Sequence, residues 1–449
     1  MVTGALERGV LMATLHIRIT PPGPLARACL RRSNQFVAPS ATHVYPLVVD
    51  HAAGCHVWDV DGNCYLDFTA GVAVSATGHG HKRVAAAITA QTARLVHFSF
   101  ADFYYPSYIR LAERLAKLAP GRDPKQVYLC NSGAEATEAA IKLARHATRR
   151  PYILAFYNAF HGRTLGAVSL TSSKAVQRRG FAPLLPGVFH APYPDPYRSN
   201  PRSRANDPAG DCLAHIEDVL FRTLLPPEET AAIVVEPIQG EGGVIVPPDG
   251  FLKGLRRICD RYGILLVDDE VQAGMGRTGK FFAIEHTGGE PDIICMAKAL
   301  GGGLPLGAII ARKRVMSWGP GSHTSTFGGN PVACEAGLAV IDVIEQEGLM
   351  RNATEQGVYI QQQLRRMQRR HRMIGDVRGR GLMIGVEMVR DRRTKERAVA
   401  ERDAVVQKAF RRGLLLLPCG RSSFRISPPL SISRQDVDEG LAILEEVLP

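Results

Sequence analysis

The sequence has no C-x-x-C pair, no internal repeat of fixed period and no low-complexity tract. No apolar run approaches the roughly 20 residues that a membrane-crossing helix needs, which argues against an integral membrane protein. The nine cysteines, an odd number, are scattered. They support neither a disulfide framework nor a thiolate metal site, so a reducing, cytoplasmic setting is expected. Lysine is scarce, supplying 11 of the 55 basic residues; such an arginine bias fits a GC-rich genome as well as a binding function. Set against 43 acidic residues the balance is a formal +12, which invites a nucleic-acid reading. Yet no zinc-finger spacing and no RNP-type aromatic pattern accompanies it. The densest clusters (Arg365, Arg366, Arg369, Arg370 and Arg372, then Arg390 to Arg397) read as solvated helix surface. No nucleic-acid partner is expected. What is present suffices for a large core: 45% apolar and 22% charged side chains over 449 residues exclude wholesale disorder. They leave room for two or three domains, or for one large α/β domain with a smaller companion.

At the N-terminus a short apolar patch, Val10 to Ile17, follows Glu7 and Arg8 and has no clean cleavage site, so a secretory signal is not expected. Arg18 to Arg32 is Arg-rich and acid-free. It reads as a loose arm packing on a neighbour, with an organelle-targeting segment as the alternative. In VWDVDGNCYLDF (57–68), Asp61-Gly62-Asn63 lies between alternating apolar runs and predicts a hairpin. Strand-length apolar runs then recur: VYLC (127–130), YILAF (152–156), AAIVVE (231–236), ILLVDD (264–269), DIICM (292–296) and GAIIA (307–311), with helical patterns between them. Strands apolar on both faces argue for a mostly parallel sheet covered on each side. Residues 191–209, rich in Pro, Asn, Asp and Arg, read as an exposed loop. Past Pro331, helices at 331–347 and 351–370, strand GLMIGVEMV (381–389), a helix at 401–412, LLLLP and FRISP strands and a helix from Gln435 read as a smaller α+β domain.

The chemistry-bearing residues sit where these runs end. NSGAEATEAAIKLAR (131–145) opens a helix directly after a strand; Ser132 and Glu135 form a capping box. Ser132, Gly133 and Ala134 would present N–H groups and a hydroxyl at a positive helix end, a cradle for phosphate. GMGRTGK (274–280) matches both a dinucleotide fingerprint and a P-loop superficially. However, Asp269 to Ala273 separate it from the strand and Phe281 stands where a P-loop needs Ser or Thr, so a glycine-rich surface loop is expected. DDEVQ (268–272) ends a buried strand in carboxylates, one of which should face a cation at the sheet's carboxyl edge, with magnesium as a second option. Lys298, in apolar, glycine-rich AKALGGGLPLGA (297–308), could be desolvated and nucleophilic. His161 alone reads as a structural histidine, and His79 and His81 lack a third ligand, so no metal is expected. Glu241 in EPIQGEGG (236–243) and Arg425 could be an ion pair or a substrate clamp. A phosphate cradle, a strand-end acid, the aromatic Phe160 and an activated lysine together fit pyridoxal 5′-phosphate: the amine condenses with its aldehyde, and the acid keeps its ring nitrogen protonated. A carboxylate ~4 Å from that nitrogen is worth about 4 kcal/mol at an effective dielectric of about 20, or about three pKa units.

From about Pro39 to the C-terminus the sequence resembles the class-III (ω-amino acid) aminotransferases of fold type I, which include 4-aminobutyrate, ornithine and acetylornithine aminotransferases. The resemblance rests on DGNCYLDF, NSGAEATEAAIKLAR, FHGRT, EPIQGEGG, DEVQAGMGRTG, AKALGGGLPLGA and STFGGNP. It implies an α/β fold with an arm and accessory segment at 1–75, a large cofactor-binding domain at 76–330 and a small domain at 331–449. It makes Lys298 the cofactor lysine and proton shuttle, Asp269 the partner of the ring nitrogen and Gln272 that of the ring hydroxyl. Ser132, Gly133 and Ala134 would bind phosphate together with Thr326 of the partner subunit, so a homodimer with shared sites is implied. Phe160 would stack on the ring with His161 beside it. Arg163 and Arg425 would clamp substrate carboxylates bidentately, Glu241 pairing Arg425 when an amine enters. Val72 occupies a position that is isoleucine in 4-aminobutyrate enzymes and tyrosine in ornithine enzymes. Its apolar wall favours transfer from a 4-aminobutyrate-like donor to 2-oxoglutarate in ping-pong fashion. The alternatives are an acetylornithine or ornithine aminotransferase and an amino-acid racemase, since the LLLLPCGRSSFRISPPL tail resembles a branch containing racemases. Three positions depart from the family pattern: Lys82 for a usual proline, Asn158 for a usual glycine, and Asp268, which would alter cofactor electrostatics if it pointed inward.

Overall fold

The computed structural model describes residues 15–198 and 207–449. Three sheets organise them. The first pairs β1 (Val49–Ala53), β2 (His56–Asp59) and β3 (Cys64–Asp67) antiparallel, with Gly62 at φ +84° in the β2–β3 turn as a tight hairpin requires. The second holds β4 (Lys125–Cys130), β5 (Tyr152–Phe156), β6 (Val188–Ala191), β7 (Thr230–Val235), β8 (Leu265–Asp269), β9 (Ile293–Met296) and β10 (Gly307–Arg312), in the order β4-β10-β9-β8-β7-β5-β6. Only β10 runs against its neighbours. The third consists of β11 (Ile374–Arg380), β12 (Met383–Asp391), β13 (Glu396–Arg397), β15 (Leu417–Cys419) and β16 (Ser423–Ile426). Strand β14 (Leu414–Leu415) leaves this last part of the chain to extend the first sheet alongside β3. No helix among the described residues is long and apolar enough to cross a membrane.

The large sheet is buried on both faces, and the alternation of its strands decides what each face holds. Leu265 and Val267 of β8 join one apolar cluster with Ile153, Val234, Ile293 and Ile309, against the helix Gly133–Thr148. Leu266 joins the other with Leu154, Ile233 and Ile294. The sheet-facing side of that helix is built from small residues: Ala136, Ala139, Ala140 and Ala144 are all buried, so its backbone lies close on the sheet. By period two, Asp269 emerges on the helix side and Asp268 on the opposite side.

Three expectations are corrected. Residues 18–32 are not a loose arm: they contain most of the helix Pro24–Phe36. Asp61 accepts the Leu25 and Ala26 amides at 2.8 and 2.9 Å and Asn63 accepts those of Arg18 and Ile19, so the segment is tied to its own chain. Val10 to Thr14 of the apolar patch lie outside the described residues. The stretch 191–209 is not simply an exposed loop, because Ala191 and Tyr193 are buried and the helix Pro208–Ala214 begins within it; residues 199–206 lie outside the described residues. The loop at 274–280 is not on the surface. Arg277 is 2% exposed and donates to the carbonyls of Leu382 and Pro428, and burial pulls its guanidinium down to about 10. Two main-chain carbonyls from the last third of the chain take up its Nη1, the group that would otherwise have kept to water.

Two departures from the family pattern find a physical account. Lys82 is the first residue of the helix Lys82–Arg94, the position where proline is favoured but not needed. Asn158 lies at φ +66°, a left-handed conformation that asparagine tolerates better than most residues.

Candidate active site

The parallel strands β4, β5, β7, β8 and β9 of the large sheet hand their chain to loops at one edge, and these loops line a cavity of about 440 Å³. Its wall contains Ser132, Gly133, Ala134, Phe160, His161, Arg163, Asp269, Gln272 and Lys298, nine of the residues expected to act together. Ser132 caps its helix by accepting the Glu135 amide at 3.2 Å, while the Glu135 carboxylate reaches back to the Asn131 amide at 2.8 Å. The capping box is thus set one residue further back than Ser132 itself, and the free amides of the first turn face the cavity as an anion site.

Asp269 anchors the other end. Its Oδ1 accepts the Val271 amide at 3.0 Å and its Oδ2 meets His161 Nδ1 at 2.5 Å. Burial alone would strip the charge from the His161 imidazole, but the Asp269 carboxylate overrides it and raises the imidazole's pKa. His161 is held by its main chain as well, its N–H donating to Thr171 Oγ1 and its carbonyl accepting from Thr137 Oγ1. It is structural and electrostatic at once.

Lys298 starts the turn after β9 at φ +49°. A left-handed lysine is uncommon and marks a position where the surroundings hold the backbone against its preference. Burial lowers the pKa of its amine, against the opposing pull of Asp269. The Arg163 guanidinium lies 5.6 Å from the centre of the Phe160 ring, over its face.

Glu236 is a site residue that the motifs did not single out. It lines the cavity on the same sheet face as Asp269 and accepts the Phe160 amide at 2.9 Å and the Gly240 amide at 2.9 Å. Burial pushes its carboxyl up to about 7, with His161 pulling the other way. The signal was present: Glu236 ends AAIVVE as Asp269 ends ILLVDD.

Four expected residues lie outside this cavity wall. Glu241 and Arg425 pair with each other at 3.1 Å. Lys174, not anticipated, meets the other Glu241 oxygen at 2.7 Å; burial favours the neutral acid, but Arg425 and Lys174 together hold the carboxyl below its usual range. Val72 is 41% exposed at φ +65° in a turn where Ala70, Gly71, Val72 and Ala73 are all left-handed, and its neighbour Val74 lines the cavity instead. Thr326 is exposed on a loop of its own. Asp268 points away from the cavity and is fully buried, its carboxyl set against the equally buried carboxyl of Glu270. Burial and the adjacent Glu270 push its carboxyl well up.

The donor set fits pyridoxal 5′-phosphate: helix-end amides for a dianion, a buried carboxylate for a ring nitrogen, and an amine, all on the wall of one cavity sized for a small cofactor. The family model described as Aminotransferase class-III matches residues 36–448. An alanine/serine racemase of Pyrococcus horikoshii is 38% identical over 98% of this chain and 94% of its own length. A 4-aminobutyrate aminotransferase of Mycobacterium leprae is 40% identical over 95% of this chain and 96% of its own. The solved structure of an amine transaminase from an uncultivated Pseudomonas species, in its pyridoxal-phosphate-bound form, superposes with a TM-score of 0.85. It is 33% identical and covers 92% of this chain and 98% of that one.

Proposed function

The chain belongs to the class-III aminotransferases, pyridoxal-phosphate-dependent enzymes of fold type I, and on that premise we propose that it moves an amino group from an ω-amino acid of the 4-aminobutyrate kind to 2-oxoglutarate. The observation that carries this reading is the opening of Lys298, Asp269 and one helix N-terminus onto a single cavity. Bound pyridoxal phosphate supplies an aldehyde that accepts the amino group and a ring that delocalises the electron pair left by deprotonation. Ser132, Gly133 and Ala134 would hold the phosphate, joined by Thr326 of the partner subunit. Asp269, fixed by His161, would hold a proton at the ring nitrogen, while Gln272 would serve the ring hydroxyl and Phe160 a ring face. Lys298, with its amine pKa lowered by burial, would accept the proton from the substrate carbon that bears the amino group and give it back at the cofactor carbon that takes up that group.

Arg163 binds the carboxylate of the ω-amino acid. Arg425 takes the α-carboxylate of 2-oxoglutarate, and Glu241 neutralises Arg425 when a single-carboxylate donor is bound. The Mycobacterium leprae relative favours this donor class. Exposed Phe98, Phe103, Tyr104 and Phe327, the last adjoining Thr326, favour a homodimer in which each subunit completes the other's phosphate site. Borohydride reduction of the loaded enzyme should tag Lys298 alone on peptide mapping, and Lys298→Ala should lose both the cofactor's visible band and turnover. Label at another lysine ends the proposal. A panel of amino donors with 2-oxoglutarate then ranks 4-aminobutyrate against ornithine and acetylornithine.

The Pyrococcus horikoshii racemase favours a second reading, in which the same lysine serves an amino-acid racemase. Incubation with one enantiomer and no oxo acid separates the two: racemisation without conversion of the cofactor to its amine form supports the racemase.

A further inference from the structure

Glu241 lies in a loop leaving the large sheet and Arg425 on a strand of the small one, and something must keep them aligned. Glu241 sits in the loop after β7, whose carbonyls at Gly243 and Val244 are held by one side chain: Arg378 Nε donates to both, at 3.1 and 3.0 Å, and Nη2 donates to Gly243 at 2.7 Å. Arg378 is itself fixed from the small sheet, Nη1 donating to Asp376 at 2.9 Å and to Glu387 at 2.8 Å, with Ser423 Oγ at 3.3 Å from Nη2.

The register explains why this grip reaches the substrate end. Arg378 of β11 lies opposite Gly385 of β12, and Gly385 lies opposite Arg425 of β16, so the three share one row on one face of the sheet. Gly385 in the middle of the row has no side chain, and a Cβ there would stand 2.8 Å from the Gly243 carbonyl oxygen and 2.8 Å from Val244 Cβ. The loop therefore rests directly on the strand between the two arginines. Val244 is fully buried in an apolar cluster with Met383 and Cys419 of the small sheet, and the Gly420 amide donates to the Glu241 carbonyl at 2.7 Å.

We propose that Arg378 is a positioning residue: by binding the 243–244 carbonyls it makes the Glu241 loop part of the small sheet, and so keeps the Glu241 carboxylate in register with Arg425. It sets how well the site accepts a substrate end without a carboxylate. The proposal rests on the roles given above to Glu241 and Arg425. With the clamp removed, Arg425 loses its counter-ion and stands bare against a cationic amine donor, while the α-carboxylate of 2-oxoglutarate still finds it.

The test uses the pyridoxal-phosphate-loaded enzyme, with KM and kcat measured separately for 4-aminobutyrate and for 2-oxoglutarate. Arg378→Gln should raise KM for the donor roughly tenfold or more, with a change of less than about threefold for 2-oxoglutarate and a smaller effect on kcat than on KM. Arg378→Lys, which keeps the charge but not the fork that spans two carbonyls, should fall between. Gly385→Ala leaves Arg378 intact and lifts the loop, so it should reproduce the same split; it decides the matter if Arg378→Gln does not fold. Equal changes in both KM values, or none in variants that retain the cofactor band, overturn the positioning role while leaving the aminotransferase reading intact. A wild-type enzyme that binds the cofactor but turns over no ω-amino donor overturns that reading, and the proposal with it.

Discussion

The cavity wall and the ion pair outside it are built differently. At the cofactor end, Ser132, Phe160, Glu236, Asp269 and Lys298 all lie within four residues of the same edge of one sheet, and their carboxylates are gripped by groups at that edge, the Val271, Phe160 and Gly240 amides and His161. At the substrate end, Glu241 and Arg425 are 184 residues apart in sequence, one in the loop after β7 and the other on β16. Their alignment depends on the row Arg378–Gly385–Arg425 and on a loop laid over it. A single rigid edge suits a group that stays bound through many turnovers. A joint between two sheets suits a place where substrates of unequal charge alternate, because small adjustments there need not disturb the cofactor.

Substitutions should separate the two ends. The largest effect is expected for Asp269→Asn, which removes the carboxylate partner of the ring nitrogen. It should lower kcat for every donor by about three orders of magnitude, because a carboxylate ~4 Å from that nitrogen holds its proton by about three pKa units. A loss confined to one substrate would show that Asp269 does not serve the cofactor. Arg425→Gln should raise KM for 2-oxoglutarate roughly ten- to a hundredfold, with little change in the cofactor's visible band; Arg163→Gln should do so for both substrates. If both arginine variants act alike, the two carboxylate positions are not distinct.

Glu236 offers a test through stability. Burial raises its carboxyl from 4.5 to about 7 in the folded chain, so the native state binds this proton more tightly than the unfolded one. The contribution is full below the unfolded value and is lost as pH rises through the folded one. The thermal midpoint of the wild type should therefore fall relative to that of Glu236→Gln between about pH 5 and about pH 8, by an amount on the order of a few degrees. A difference that does not vary with pH would mean that Glu236 titrates normally. The smallest effect is expected for Asp268→Asn. Because Asp268 lies on the far side of β8, the cofactor absorbance and its pH dependence should stay as in the wild type. A shift like that of Asp269→Asn would dissolve the distinction between the two faces.

Much of the large sheet was legible because strands covered on both faces must be apolar throughout, and β4, β5, β7, β8, β9 and β10 all overlap the runs that marked them. The cofactor-end residues were legible for the same reason: a charge at the end of such a run is conspicuous. Asp269 and Lys298 stood out. Glu236 ends its run just as plainly, but Glu241, five residues later among glycines, is the more obvious acid of the same motif. The buried Arg277 could not be foreseen, since its hydrogen-bond acceptors are carbonyls at Leu382 and Pro428, more than a hundred residues away. Lys174 as a second partner of Glu241 was hidden likewise, 67 residues off on an irregular loop.

Adjacent acids show where the boundary falls. Local composition determined that a strand ends in carboxylates, that a capped helix follows β4 and that a lysine sits among glycines; these depend on nearest neighbours in the chain, and a linear text records them. Which carboxylate faces the cavity depends on the side of the sheet that the helix Gly133–Thr148 covers. Whether Glu241 meets Arg425 depends on how one sheet is laid beside another. Those choices are made by burial and hydrogen bonding between segments far apart in sequence, and only the folded chain brings the segments together.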